Sequence, residues 1–249
     1  MTDRVRTLRD AAAFVDRAGL ALVFAKAGVP LPSLHEAVAG PDARWVDERE
    51  DGKLAMTPDL AKVWAWKDEL AEARLACAGK HVRGWPALVS LTLLPSLYAL
   101  TGRAGGPADF RDVVLPPLER EVAEAVLDAA PADALEVRRA VGVRDARRVA
   151  RAIDSLQRQL VLTRAGTIKR EQGWPGTAYD VLPRRYRVDR LPKPDEARAH
   201  LAAAVLRTAS ELSSADLARV LGFTRAEAAV ALDRAKSEGP GTRRALLPP

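Results

Sequence analysis

Asp145-Ala146-Arg147-Arg148-Val149-Ala150-Arg151-Ala152-Ile153-Asp154-Ser155-Leu156-Gln157-Arg158-Gln159-Leu160 is the stretch from which the rest of the chain can be read. Val149, Ile153, Leu156 and Leu160 recur at spacings of four, three and four, the period of one helix face. The opposite face carries Arg147, Arg148, Arg151 and Arg158. Asp145 stands where an N-cap belongs, since a short acidic side chain accepts from the first free amides of a helix. The stretch therefore predicts a helix with one apolar and one cationic side.

Upstream, the periodicity predicts a helix over 119–127 with Val122, Val126 and Leu127 on one face. A second follows over 132–141, stopped by Gly142, which can take a left-handed C-cap. Downstream, 160–164 and 177–182 read as strands, and the intervening 165–176 is glycine-rich, basic and carries Trp174. Three helices and a hairpin with a basic tip are the plan of a winged helix. In that plan the third helix can enter a major groove and the wing can touch backbone or minor groove. Two other readings stay open here: arginines that form only a solvated face, and a winged helix that binds protein.

The charge distribution favours the first reading. The chain has 249 residues, a net charge of +6 and a pI near 9.8. Its length allows one to three domains and a buried core. Hydrophobic content is 48% and aromatic content 5%, which fits a helix-rich globule packed by Ala, Leu and Val. Abundant Ala and Arg suggest a GC-rich bacterial genome, which would spread basic residues evenly. They are not even. Residues 1–130 hold 16 Lys/Arg against 19 Asp/Glu, 131–190 hold 14 against 7, and 191–249 hold 9 against 7. The excess sits in the middle segment, as a polyanionic partner would require.

A single cysteine, Cys77, excludes an internal disulfide and agrees with a reducing compartment. The charged start does not read as a signal peptide. The most apolar stretch, 88–100, falls short of the roughly 20 residues that span a bilayer. A cytoplasmic, nucleoid-associated protein is expected.

Along the rest of the chain, Thr7-Leu8-Arg9-Asp10 predicts a capped helix ending at Gly19. Residues 20–24 read as a buried strand or another helical turn, 33–38 as a short helix, and 42–52 as an acidic surface loop. Thr57-Pro58 opens a helix, with Pro58 where its missing N–H is harmless. Two apolar runs flanking Arg83-Gly84 look like a second, degenerate wing. Residues 93–100 predict a buried helix, and 103–107 a glycine-rich linker. Pro192 and Pro194 punctuate another linker before a helix over 195–209. Helices over 213–221 and 225–236 then repeat a helix-turn-helix plan around Gly222, with Arg225, Arg234 and Lys236 on the last. The tail from Gly239 is expected to fray.

Much chemistry is missing. There is no dinucleotide fingerprint, Walker loop or zincin motif. His35, His81 and His200 are scattered, and Asp68 and Glu69, being consecutive, point to different sides of a helix. Cys77 reads as a core residue. Trp64 and Trp66 read as half core and half surface, with stacking on a flipped base the sharper alternative.

Trp66-Lys67-Asp68-Glu69-Leu70, Gly79-Lys80, Leu88-Val89-Ser90-Leu91, Leu94-Pro95 and Tyr98-Ala99-Leu100 resemble a bacterial group of AlkZ-related proteins. So do Leu156-Gln157, Leu160-Val161, Trp174 and Tyr179-Asp180. These are winged-helix relatives of the YcaQ/AlkZ DNA glycosylases, which unhook interstrand crosslinks. The resemblance runs from about Arg6 to Ala235 and implies tandem winged helices around a DNA-binding concavity. The glycosylases use a Gln-x-Gln or Gln-x-Asp motif near the first repeat, and the first hundred residues here hold none. Gln157-Arg158-Gln159 lies in the wrong repeat, and an i, i+2 pair on a helix faces two directions.

The expected fold is thus mainly α with small β-hairpins (α+β), in tandem winged-helix repeats: an N-terminal winged-helix-like domain over 1–106, a basic winged-helix domain over 107–190 and a helix-turn-helix domain over 191–249. The expected partner is duplex DNA. It would be held by Arg144, Arg147, Arg148, Arg151 and Arg158, by Lys169 and Arg170 at the wing tip, and by Arg184, Arg185 and Arg187 beyond it. No metal, cofactor or membrane contact is expected. The oligomeric state is not fixed by the residues, and a monomer is taken as the default. Two alternatives are a glycosylase for alkylated or crosslinked bases, with Asp68 or Glu69 replacing the missing motif, and a protein-interaction scaffold.

Overall fold

The computed structural model of the protein describes residues 4–49, 52–171, 173–209 and 211–238. The tail expected to fray lies outside them. About half of the chain is helical and the strands form three small antiparallel sheets, an α+β arrangement.

The first helix, α1 (Leu8–Ala18), has the predicted capping box: the Asp10 N–H donates to Thr7 Oγ1 at 3.1 Å and the Thr7 N–H to Asp10 Oδ2 at 3.0 Å. Then come strand β1 (Leu20–Leu22), α2 (Leu34–Ala39), β2 (Val46–Glu48), β3 (Leu54–Met56), α3 (Pro58–Glu72), the hairpin β4 (Cys77–Val82) and β5 (Trp85–Val89), and α4 (Leu94–Ala99). Within the surface loop expected at 42–52, Val46–Glu48 form the first arm of a short hairpin, with Val46 opposite Met56 and Glu48 opposite Leu54, and residues 50 and 51 lie outside the described ones. Three-residue strands whose apolar side chains face outward carry little alternation signal.

The 103–107 segment is no loose linker. Arg103 is buried against Asp109 at 3.1 Å and also donates to Gln159 O at 2.6 Å. The Tyr98 hydroxyl and the Gly105 N–H both donate to Asp109. A 3-10 turn (Asp109–Asp112) leads into α5 (Pro117–Ala129), β6 (Ala132–Asp133), α6 (Ala134–Ala140), α7 (Ala146–Arg158), β7 (Leu162–Ile168) and β8 (Gly176–Val181). The predicted second helix thus begins two residues late: Ala132 and Asp133 pair with β8, and Asp133 caps α6. The first strand of the later hairpin is likewise displaced. Leu160 has φ +58° and closes α7 in a Schellman motif, with Leu160 N–H to Gln157 O and Val161 N–H to Leu156 O.

α3 ends the same way. Arg74 has φ +55°, its N–H donates to Ala71 O, and the Leu75 N–H donates to Leu70 O. In both segments a strand between the first two helices pairs antiparallel with the second strand of the hairpin, giving sheet orders β1-β5-β4 and β6-β8-β7. The first 89 residues and residues 117–181 therefore share one element order, with β2 and β3 inserted between second and third helices.

After a single turn, α8 (Leu182–Arg185), the chain ends in α9 (Pro194–Leu206), α10 (Ser214–Leu221) and α11 (Arg225–Glu238). Gly222 closes α10 in the left-handed region, as its position predicts. The central segment closes its own core of Phe110, Val122, Val126, Val149, Ile153, Leu156, Leu162 and Val181. The C-terminal helices do not. Leu201, Val205, Leu217, Val220 and Leu232 share a core with Leu20, Leu22, Val89, Leu94 and Tyr98.

Candidate nucleic-acid interface

α7 is built as its sequence implies. Val149, Ala152, Ile153 and Leu156 are buried, and Asp145 Oδ1 accepts the Arg147 N–H at 2.9 Å. Arg144, Arg147, Arg148, Arg151 and Arg158 are all exposed. None of the five guanidinium groups forms a hydrogen bond or ion pair among the described residues. Five guanidiniums thus lie on and just before one helix without a counter-carboxylate. Two more arginines join them that sequence spacing did not single out. Arg138 and Arg139, in the last turn of α6, line an open depression with Gly142, Val143 and Arg144. Their signal was present, since basic residues favour a helix C-terminus, but that same preference hides a binding role.

The other predicted cations are placed differently. Lys169 is exposed in the β7–β8 loop, which also carries Trp174, 87% exposed. Arg170 turns inward: its Nε and Nη2 both donate to Asp133 Oδ2, at 3.0 and 2.7 Å. Asp133 Oδ1 meanwhile accepts from the Leu135 and Glu136 amides. Burial pushes the Asp133 carboxyl up, but the amide and guanidinium donors outweigh it and leave its pKa below the usual carboxylate range. Gly176 makes room for this pair, since a Cβ there would fall 2.5 Å from Asp133 Oδ2 and 2.8 Å from Arg170 Nη2.

Arg184 donates to Asp180 at 2.7 Å and to the Val126 and Leu127 carbonyls at the end of α5, a helix with no basic residue in its last turn. Arg185 does the same for α3, donating to Ala71 O at 2.6 Å and Glu72 O at 3.0 Å. Both satisfy helix C-termini. Arg187 is exposed and pairs with Asp189 at 2.7 Å. The ten predicted contacts therefore divide into six free exposed cations, Arg187 on the surface, and three committed to the protein's own oxygens.

A polar layer fixes α7 against the N-terminal segment. Lys80 Nζ meets Asp154 at 2.5 Å and its N–H donates to Gln157 Oε1 at 3.2 Å. His81 Nδ1 lies 2.9 Å from Gln157 O, and because a carbonyl only accepts, this nitrogen carries the proton. Burial pulls the His81 pKa down to about 4, so the ring is neutral near pH 7. Asp68 is buried between Lys67 at 2.5 Å and Arg164 at 3.3 Å, whereas Glu69 is exposed. Gln157 is buried and Gln159 exposed, donating to Glu119, so the two amides face different surroundings. Cys77 is fully buried, and its thiol is pushed up to about 12 by that burial, which suits a packing role. Trp64 is about half exposed and packs on Phe24 beside Trp45.

Among the described residues there is no helix long and apolar enough to cross a membrane, and no His/Cys/Asp/Glu group arranged to hold a metal ion. The chain thus has two segments of like element order, the second carrying an arginine-rich third helix. The chain belongs to the AlkZ-related family, whose family model matches residues 5–222 and associates it with DNA repair. No curated protein and no solved structure matches it.

Proposed function

We propose that the protein binds duplex DNA through tandem winged-helix units and acts in DNA repair or genome maintenance in the bacterial cytoplasm, on the nucleoid. The units are residues 1–106, 107–190 and 191–249, the last with no wing among its described residues. α7 lies in or along a groove, Lys169 and Trp174 extend the contact from the β7–β8 loop, and the protein works as a monomer. One observation carries the reading: Arg144, Arg147, Arg148, Arg151 and Arg158 are exposed on and just before one helix, with no carboxylate partner among the described residues. Genome composition can supply arginines, but it does not keep carboxylates away from them. Asp68, held by two cations, is poorly placed to replace the glycosylases' motif.

The test is duplex binding followed by fluorescence anisotropy across a salt series. Each neutralised phosphate contributes a slope of about 0.9 in log K against log salt, so replacing Arg147, Arg148 and Arg151 by Ala should lower the slope by about 2 to 3. The loss should be similar for unrelated sequences, since backbone contacts carry no base readout. An unchanged slope and affinity at low salt would remove the proposal.

A further inference from the structure

Arg83 sits at the tip of the β4–β5 hairpin, between Val82 and Trp85, which pair across it. Both tip residues have positive φ, Arg83 at +52° and Gly84 at +80°. Two-residue hairpins of this kind favour Asn, Asp or Gly at the first position, because a Cβ is strained there. An arginine in that place is exposed and has no hydrogen-bond or ion-pair partner among the described residues.

Its surroundings tie three parts of the chain together. A Cβ on Gly84 would lie 3.3 Å from Arg158 Cδ, so the tip rests against the end of α7. A Cβ on Gly222 would lie 3.2 Å from Arg83 Nη1, so the Arg83 guanidinium lies over the turn between α10 and α11. Next along the strand, Trp85 carries Lys26 Nζ 5.7 Å from its ring centre. A Cβ on Gly28, two residues on, would lie 3.5 Å from Arg219 Nη1. Lys26, Arg83, Arg158 and Arg219 are all exposed, and among the described residues only Arg219 of the four has a carboxylate partner, Asp216 at 2.8 Å.

We infer that these cations form a second polyphosphate-binding surface, continuous with α7, on which the N-terminal hairpin tip and the C-terminal turn hold the sugar–phosphate backbone of the same duplex. The inference rests on the proposed duplex binding and extends it. Lys26 and Arg83 lie in a segment whose overall charge is negative, so their isolation from carboxylates is a local property of this seam. The cation of Lys26 over Trp85 and the exposed guanidinium of Arg83 over the Gly222 turn suit contacts to phosphate rather than reading of base edges. Arg158 joins the two surfaces, at the end of α7 on one side and against the tip on the other.

The experiment compares the double variant Lys26→Ala, Arg83→Gly with the α7 triple variant in the same salt series on a random-sequence duplex. Arg83→Gly relieves the left-handed strain, so the fold is retained, and a thermal melt checks it. The double variant should lower the salt slope by about 1.8, two phosphates' worth. Arg83→Lys, which keeps the charge, should restore about half of that. If the double variant keeps the wild-type slope while the triple variant loses its own share, the seam is overturned and the α7 reading stands. If the triple variant also keeps the wild-type slope, the α7 reading falls and the seam falls with it.

Discussion

Acidification should loosen this protein through one histidine before most carboxylates titrate. His81 is buried, with Nδ1 donating to Gln157 O and Nε2 3.3 Å from Thr163 Oγ1, and Arg164 nearby further disfavours a charged ring. Its pKa drops from 6.5 to about 4, chiefly through burial. The unfolded chain therefore binds a proton between these values that the folded chain does not. The stability associated with the neutral ring is fully present above pH 6.5 and is lost as pH falls towards 4. At about 1.4 kcal/mol per pH unit, the loss approaches about 3 kcal/mol at the lower end. Urea unfolding between pH 7.5 and 4 would measure it, with His81→Leu as reference because that variant removes the titrating group. The wild type should lose stability over this range while the variant, less stable at pH 7, stays flatter. Parallel curves would refute the assignment of the pH dependence to His81.

Replacing Arg103 by Ala strands Asp109 in a buried site, and loss of one partner from a buried pair costs about 3 to 5 kcal/mol, readable as a lower urea midpoint. Double replacement of Arg103 by Met and Asp109 by Leu should recover part of that loss. Gly176→Ala should push Arg170 off Asp133 without touching α7, raising the mobility of the β7–β8 loop in amide exchange while costing roughly 1 to 3 kcal/mol.

What could be read from the chain and what could not follow a physical line. α7, its Asp145 cap, the Gly222 stop and the β4–β5 hairpin rest on neighbours within a few residues, where periodicity and capping chemistry speak directly. Arg184 and Arg185 looked like the same surface charge as Arg147 and Arg148. Their partners lie up to 114 residues away in the sequence, on carbonyls that no spacing reveals. Arg170 was misleading for the same reason, its Asp133 being 37 residues upstream. Arg83 was visible as a turn residue but not as a seam residue, since only the folded chain brings Gly222 and Arg158 beside it.

The shared core of the first and last segments sets an order of events during synthesis. The apolar face formed by Leu22, Val89 and Leu94 receives its cover only when Leu201, Val205, Leu217 and Leu232 have left the ribosome. The middle segment meanwhile holds a core of its own that can condense as soon as Val181 emerges, while its Leu160 and Leu182 wait for the shared one. A stalled or truncated polypeptide would therefore present a largely condensed basic middle attached to a sticky, half-built beginning, a natural substrate for chaperones and proteases.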